Sequence, residues 1–252
     1  MTSPAVVLGG RAIRETLRTP EAIAPTLFIP LFFLVVNVGQ AGRIFPTGHT
    51  SFLHGQGYAA FQLPASLLLA ASFGSAAMFL VEDIEGGYFD KLRATPIPRT
   101  AIAFGRLAAE GVKSLVLTAV LTLVAMAFGV RLASGAFGFV LLLLLTAGWA
   151  VVFSGFMQLI ALKTRSAAAT QSGGLVFFPL LFLTPNFVPR HMLTHPMEVA
   201  ATINPVTYIM EGMRSLILVH FDWAAIGKGF LVVALAGLVM AALNARAIRA
   251  YD

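Results

Sequence analysis

Long apolar runs are the feature that most restricts how this 252-residue chain can fold. A bilayer core about 30 Å thick is crossed by an α-helix of roughly 20 residues, and several of the runs reach that length. A helix satisfies its own backbone hydrogen bonds, which water cannot do inside a membrane. Hydrophobic residues make up 58% of the chain and charged residues only 11%, a balance that no soluble domain of this size requires. The sequence therefore predicts an all-α membrane protein forming a single domain over residues 1–252.

Six transmembrane helices are predicted, separated by polar, glycine-rich or proline-rich segments. They cover Ala22–Val38, Tyr58–Val81, Leu107–Val130, Phe137–Leu162, Ala167–Leu183 and Trp223–Leu243. Residues 184–222, between the fifth and sixth, are cut by prolines into pieces too short to span a bilayer. Met197–Ile203 and Val206–Val219 are each preceded by a proline, which favours a helix start. We expect them to form short re-entrant or interfacial helices in an extracytoplasmic cap over residues 184–222.

The first 20 residues combine apolar side chains with three arginines at helical spacing and end at a proline. The arginines are Arg11, Arg14 and Arg18. This pattern is typical of an amphipathic helix that lies in the interface of a membrane. A disordered basic tail is the alternative interpretation of the same residues.

Basic residues also predict the orientation. If the N-terminus lies inside, the inner segments hold 12 of the 17 Lys and Arg residues. These are Arg11, Arg14, Arg18, Lys91, Arg93, Arg99, Arg106, Lys113, Lys163, Arg165, Arg246 and Arg249. Because cytoplasmic loops carry an excess of positive charge, both termini and residues 82–106 are expected to be cytoplasmic. The net charge of +6 then reflects membrane orientation and not binding to nucleic acid.

Several classes of site lack their residue patterns here. The chain has no cysteine, no G-x-x-x-x-G-K-[ST] loop that would cradle ATP phosphates, and no G-x-S-x-G element of a serine hydrolase. His191 and His195 are four residues apart and could share a helix face, but no third ligand follows a zinc-site spacing. The sequence thus predicts no catalytic, cofactor-binding or metal-binding residues on this chain.

No ionisable residue lies in the middle of a predicted span. Ion-coupled transporters usually place one at membrane depth, so this absence disfavours a secondary transporter or a channel. The main polar residues within the spans are Asn37, Gln62, Gln158 and Gln171. We expect these residues to form interhelical hydrogen bonds rather than to bind a substrate.

The polar stretch between the second and third spans, residues 82–100, has its own pattern. Acidic residues precede the Gly86-Gly87 break, after which Tyr88–Ala94 mixes apolar and charged side chains until Thr95 and Pro96. The pattern predicts a short amphipathic helix that lies on a surface, with an ordinary solvated loop as the alternative.

This stretch resembles the signature of type-2 ATP-binding-cassette (ABC) exporter permeases, and in particular their drug-resistance, daunorubicin-type branch. The matching positions are Glu85, Gly87, Asp90, Leu92, Thr95 and Pro96. Tyr88 stands where the family usually has threonine. A second similarity covers residues 178–214, where a Phe- and Leu-rich run is followed by Asn204-Pro205, Tyr208, Glu211 and Arg214.

The resemblance implies how the chain would work. Residues 82–100 would be a coupling helix region that docks on a separate ATPase subunit, present in two copies and binding ATP and Mg²⁺. The implied coupling residues are Glu82, Glu85, Gly87, Tyr88, Phe89, Asp90, Leu92, Arg93, Thr95 and Pro96. A second permease chain, identical or homologous, would complete the pathway, with spans 1, 2 and 5 around it. The chain alone would not be an enzyme.

The implied function is export of a hydrophobic or amphipathic drug or lipid across the plasma membrane by alternating access. A polysaccharide or lipid-linked glycan is the alternative substrate. The chain has 21 Phe but only 2 Trp and 4 Tyr, which favours the first class because sugars prefer aromatic side chains with a polar handle. The cap residues implied by the resemblance are Asn204, Pro205, Tyr208, Glu211 and Arg214. Glu211 and Arg214 are expected to pair with each other at i, i+3.

Overall fold

The computed structural model describes residues 20–73, 76–88, 91 and 99–250, and this part of the chain contains helices and no strands. Its α-helices are α1 (Pro20–Ala41), α2 (Tyr58–Ser72), α3 (Ala76–Glu85), α4 (Arg99–Ala127), α5 (Gly135–Thr164), α6 (Ala167–Gly174), α7 (Phe177–Phe182), α8 (His195–Ile203), α9 (Pro205–Arg214) and α10 (Trp223–Arg249). Short 3₁₀ turns cover Ser51–Leu53 and Arg190–Met192, and a π-helical turn, Ser215–Val219, continues α9. The predicted all-α class is confirmed. The predicted N-terminal helix with Arg11, Arg14 and Arg18 lies outside the described residues.

Four helical stretches in the described part of the chain are long and apolar enough to cross a membrane. They are Tyr58–Glu85, which comprises α2 and α3, Phe104–Ala127, Gly135–Thr164 and Trp223–Arg249. The remaining two predicted spans correspond to shorter apolar helical stretches, Pro25–Ala41 and Ala167–Phe182. A multi-pass membrane protein follows from this pattern, and the count of six spans stays a prediction.

The fifth predicted span differs from the expected continuous helix, because α6 ends at Gly174 and α7 begins at Phe177. Glycine in a helix interior costs about 1 kcal/mol relative to alanine, so the Gly173-Gly174 pair favours an end there. Glycine also leaves room for a neighbouring side chain: a Cβ added at Gly173 would lie 2.3 Å from Ile160 Cδ1 on α5, which would have to shift. Glycine thus lets α6 approach α5 at the expense of helix continuity.

Helix α2 forms the centre of the molecule. In the span that contains it, 80% of the most apolar 18-residue stretch is buried, against 11% in α10. Helix α2 packs against α1, α4 and α5, whereas α5 also packs against α10. The exposed apolar side chains of α10, such as Leu231, Leu235 and Leu238, are therefore suited to contact lipid.

Polar caps fix several helix starts. Asn204 accepts a hydrogen bond from the Val206 N–H at the start of α9, where Pro205 occupies the first helical position. Asp222 accepts from the N–H groups of Ala224 and Ala225 at the start of α10. The proline-rich segment before α10 forms two short helices, much as the sequence indicates, and Asn204 caps the second of them. The first begins at His195, slightly before the expected Met197, and the second changes from α to π geometry after Arg214.

Candidate functional site

The predicted cap residues come together around α9. Asn204 donates a hydrogen bond from Nδ2 to the Leu180 carbonyl, 2.6 Å away, and so joins the start of α9 to α7. Tyr208 donates from its hydroxyl to the Thr202 carbonyl at the end of α8. These two side chains hold α7, α8 and α9 together as a folded unit.

Arg214 is the most deeply embedded charged residue of this unit. Its guanidinium donates to three backbone carbonyls, those of Phe61, Pro185 and Asn186, at 3.2, 2.6 and 3.0 Å. It also lies 3.6 Å above the Phe61 ring, a cation–π arrangement. Burial lowers the pKa of Arg214 to about 9, so the side chain remains protonated at neutral pH. One buried cation thereby ties the end of α9 to α2 and to the chain that follows α7.

The expected ion pair between Glu211 and Arg214 is wrong. Glu211 pairs instead with Arg190, whose Nε and Nη2 atoms donate to the two carboxylate oxygens at 3.0 and 2.7 Å. Arg190 also lies 5.2 Å from the centre of the Tyr208 ring. The bidentate pair is preferred because the rigid fork of Arg190 matches a carboxylate, while the fork of Arg214 is occupied by carbonyls.

Arg190 lies within the predicted cap segment, but the sequence indicated no role for it, and it indicated only interhelical hydrogen bonding for Gln62. Gln62 donates to Tyr58 Oη and to the Asn186 carbonyl, at 2.8 and 3.1 Å, and Tyr58 donates to the Phe187 carbonyl. The expected interhelical role of Gln62 thus extends to the segment after α7. The sequence did offer one signal for this contact, since Gln62 is a polar residue in the first turns of a predicted span.

Part of the predicted coupling region lies within the described residues. Helix α3 ends at Glu85, and Gly87 has a φ of +68°, a left-handed conformation that glycine adopts without strain. Glu82 and Glu85 are exposed, as is Tyr88, at 37%. The Lys91 N–H donates to the Gly87 carbonyl, the spacing of a helical turn. Phe89, Asp90, Leu92, Arg93, Thr95 and Pro96 lie outside the described residues.

Asp83 differs from its acidic neighbours because it is buried. Its carboxylate forms an ion pair with Arg106 of α4, and the two side chains are 10% and 6% exposed. Glu110, one turn further along α4, is also buried and pairs with Lys113 at 2.5 Å. Ionisable groups in this region therefore cluster near the end of α3 and the beginning of α4.

A cavity of about 320 Å³ opens between α1, the end of α2, α5 and the α6–α7 pair. Side chains that line it include Thr26, Phe73, Met157, Gln171, Phe177 and Phe178. Among the residues that the structure describes, neither acidic nor basic ones contribute to its lining. Gln171 faces this cavity, although the sequence suggested only an interhelical role for it. The volume is within the range of about 300–1,000 Å³ typical of small-molecule sites.

The histidines do not form a metal site in the described part of the chain, where no three His, Cys, Asp or Glu residues are grouped to hold an ion. His191 lies in the 3₁₀ turn Arg190–Met192, whereas His195 begins α8, and both are exposed. They therefore do not share one helix face.

Comparison with known proteins gives the family. The family model described as "ABC-2 type transporter" matches residues 5–218 of the chain. The chain is also similar to the daunorubicin resistance ABC transporter permease protein DrrB1 of Streptomyces coeruleorubidus, with 25% identity over 236 residues, covering 91% of this chain and 79% of the relative. The resemblance seen around residues 82–99 and 178–214 is confirmed at the level of the whole chain. The chain belongs to the ABC-2 type transporter family.

Proposed function

We propose that this chain is the permease subunit of an ATP-driven exporter that moves a hydrophobic or amphipathic substrate, a drug or a lipid, outward across the plasma membrane. Membership of the ABC-2 family supports a permease, and the similar Streptomyces protein is named for resistance to daunorubicin. ATP and Mg²⁺ would be bound by a separate ATPase subunit in two copies. A second permease chain, identical or homologous, would complete the transporter.

The cavity beside α2 is the observation that carries the proposal about substrate. Its walls come from the predicted spans 1, 2 and 5, with Met157 of span 4 at one side. It lies where α2 ends, and Ser72 there accepts a hydrogen bond from Trp149 Nε1 at 2.9 Å. A cavity between several helices can open or close when the helices move relative to one another, as alternating access requires.

The lining favours apolar ligands over sugars. Phenylalanine, methionine, leucine and proline dominate it, and Thr26, Ser72 and Gln171 supply the few polar side chains. No Trp or Tyr of the described residues takes part in the lining, although these are the aromatic residues that sugars usually stack on while hydrogen bonding to their polar atoms. A drug-like or lipidic substrate fits this surface better than the alternative polysaccharide or lipid-linked glycan.

The cap and the coupling region would act at opposite ends of the pathway. On the inner side, residues 82–100 would be displaced by the ATPase. Arg11, Arg14 and Arg18 would hold the N-terminal segment at the lipid headgroups. On the outer side, α8 and α9 with Asn204, Pro205, Tyr208, Glu211 and Arg214 would close the exit. This assignment follows the predicted orientation with both termini in the cytoplasm.

Inside-out vesicles that contain the permease and its ATPase test the proposal. We expect ATP-dependent uptake of daunorubicin or of a fluorescently labelled phospholipid, and no uptake without ATP. Phe178→Ala should lower uptake about tenfold, because an aromatic side chain in a ligand-binding pocket commonly contributes 1–2 kcal/mol. Phe128→Ala is the matched control, since Phe128 is 84% exposed at the outer end of α4 and far from the cavity lining.

Two results would contradict this assignment. Uptake driven by an ion gradient without ATP would favour a secondary transporter. ATP-dependent transport of a lipid-linked glycan, with no transport of daunorubicin or phospholipid, would favour the glycan alternative. Equal effects of Phe178→Ala and Phe128→Ala would leave the exporter in place but remove the cavity as its binding site.

A further inference from the structure

An ion pair joins the two helices that flank the proposed coupling region. Asp83 lies in the last turn of α3, before residues 86–98, and Arg106 lies near the beginning of α4, after them. The two residues are 23 positions apart in sequence, and their side chains meet with exposures of only 10% and 6%. The pair therefore links the helix before the segment that would contact the ATPase to the helix after it.

The chain turns sharply just beyond this pair. The Gly86 N–H donates to the Glu82 carbonyl and the Gly87 N–H to the Ile84 carbonyl, at 2.8 and 3.1 Å, and Gly87 then takes a positive φ. Two consecutive glycines make this a point where the backbone can bend at low cost. Asp83 thus lies at the end of α3, directly before this bend. A displacement of the residues beyond the bend would reach α3 at this point.

Burial strengthens the connection that such an ion pair makes between two helices. Exposed ion pairs are weak because water and salt screen them, whereas removing one partner of a buried pair leaves the other charge uncompensated. Separating α3 from α4 would break this pair. The two helix ends are therefore expected to move together or not at all.

We infer that Asp83 and Arg106 are positioning residues of the coupling mechanism, which lock α3 to α4 so that a displacement of residues 84–105 moves both spans as one body. The inference rests on the proposed function, because it needs an ATPase that pushes on this segment. Neither residue touches the ATPase or the substrate in this role. They act by keeping the two helices together, so that a force from the ATPase moves both helices instead of separating them.

The chain is well suited to a distance measurement because it has no cysteine of its own. Spin labels at Ile84→Cys on α3 and Ala108→Cys on α4, both outside the implied coupling residues, report the separation of the helix ends. The complex of permease and ATPase is measured without nucleotide and with a non-hydrolysable ATP analogue. We expect one narrow distance distribution in both states of the parent protein.

Asp83→Asn should broaden that distribution, most of all in the presence of the ATP analogue. Transport of daunorubicin per ATP hydrolysed should fall about tenfold, while the ATPase still co-purifies with the permease. Lys163→Gln is the control for the distance measurement, since it removes one charge from an exposed position at the end of α5, outside the implied coupling residues. It should leave the distribution narrow.

Exchange of the charges separates positioning from folding. The double variant Asp83→Arg with Arg106→Asp restores an opposite pair and should restore both the narrow distribution and the transport per ATP. If Asp83→Asn is not recovered from membranes, a folded double variant with a broad distribution would overturn the inference. Parent-like distances and coupling in a folded Asp83→Asn variant would also overturn it, but would leave the proposed function standing. A parent complex without ATP-driven uptake would instead contradict the proposed function.

Discussion

Arg214 shows how a single residue can hold several elements in place. Its three backbone acceptors belong to α2 and to the segment after α7, and all of them lose a donor if the guanidinium is removed. The Asn186 carbonyl would keep its hydrogen bond from Gln62, and a buried group left without its hydrogen bond costs about 1–3 kcal/mol, so Arg214→Ala should destabilise the permease by about 2 kcal/mol. Thermal unfolding of the detergent-solubilised protein measures this change.

Two further variants make the Arg214 measurement specific. Arg214→Lys should recover little of the loss, because an ammonium group cannot reproduce the planar fork that reaches three carbonyls. Arg131→Ala, at an exposed position in the turn before α5, should change stability by less than about 0.5 kcal/mol. Equal unfolding temperatures for Arg214→Ala and Arg131→Ala would show that the buried contacts do not stabilise the cap.

The pair of Arg190 and Glu211 gives a second prediction at the same scale. The two side chains are 25% and 32% exposed, so solvent screening limits their coupling energy to about 1 kcal/mol. A double-mutant cycle with Arg190→Ala and Glu211→Ala should give this value and show that the two effects are not additive. Because the pair lies in the proposed exit, Glu211→Ala should lower the rate of transport even though it changes the free energy of unfolding by only about 1 kcal/mol. Strict additivity of the two changes would contradict the pairing.

Residue types were easier to predict than their partners. The Asn204-Pro205 dipeptide predicts a helix start by itself, since the cap and the proline act within one turn, and α9 begins there. The partner of Glu211 could not be read from spacing, because Arg190 is 21 positions away and reaches it only through the tertiary fold. For the same reason, nothing in the sequence distinguishes the buried Asp83 from the exposed Glu82 beside it.

At the scale of helices, the coupling stretch offers the clearest prediction. Interfaces concentrate their binding energy in a few aromatic and arginine side chains, with truncation costs of about 2 kcal/mol or more. Phe89→Ala, Asp90→Arg and Arg93→Glu should therefore release the ATPase or uncouple its hydrolysis from transport, while the permease still inserts into the membrane. Co-purification of the ATPase and substrate-stimulated ATP hydrolysis measure these effects.

The control for these variants lies in another loop that is predicted to be cytoplasmic. Lys163→Glu reverses an exposed charge at the end of α5, outside the predicted coupling stretch, and should behave like the parent protein. A solvated loop at residues 88–94 would give parent-like behaviour in all three variants, and that outcome would remove this stretch as the coupling element.

Helix boundaries followed from the sequence where local rules decide them and failed where packing decides them. Asp222 before Trp223 marks the start of α10, because the carboxylate accepts from two N–H groups in the first turn. The interruption between α6 and α7 depends on how close α6 must come to Ile160, which periodicity does not reveal. Apolar composition alone therefore suggested one span where two short helices are found.

At the scale of the whole molecule, the apolar runs and the basic inner segments were enough to predict an all-α, multi-pass membrane protein. The cavity was not foreseeable in the same way, since Thr26, Met157 and Phe178 are far apart in the chain and ordinary in type for a membrane protein. Only the tertiary arrangement of the helices places these side chains around one cavity. Substrate class therefore depends on tertiary structure, while membrane insertion depends on composition.

The central claim is that a separate ATPase drives this permease, and purification of the affinity-tagged chain from its native membranes tests it most directly. We expect a P-loop ATPase subunit to co-purify in an equal number of copies, and ATP hydrolysis to require that subunit, because this chain has no phosphate-binding loop of its own. A permease that is recovered without any ATPase partner and transports daunorubicin or phospholipid in its absence, or that hydrolyses ATP alone, would contradict the claim.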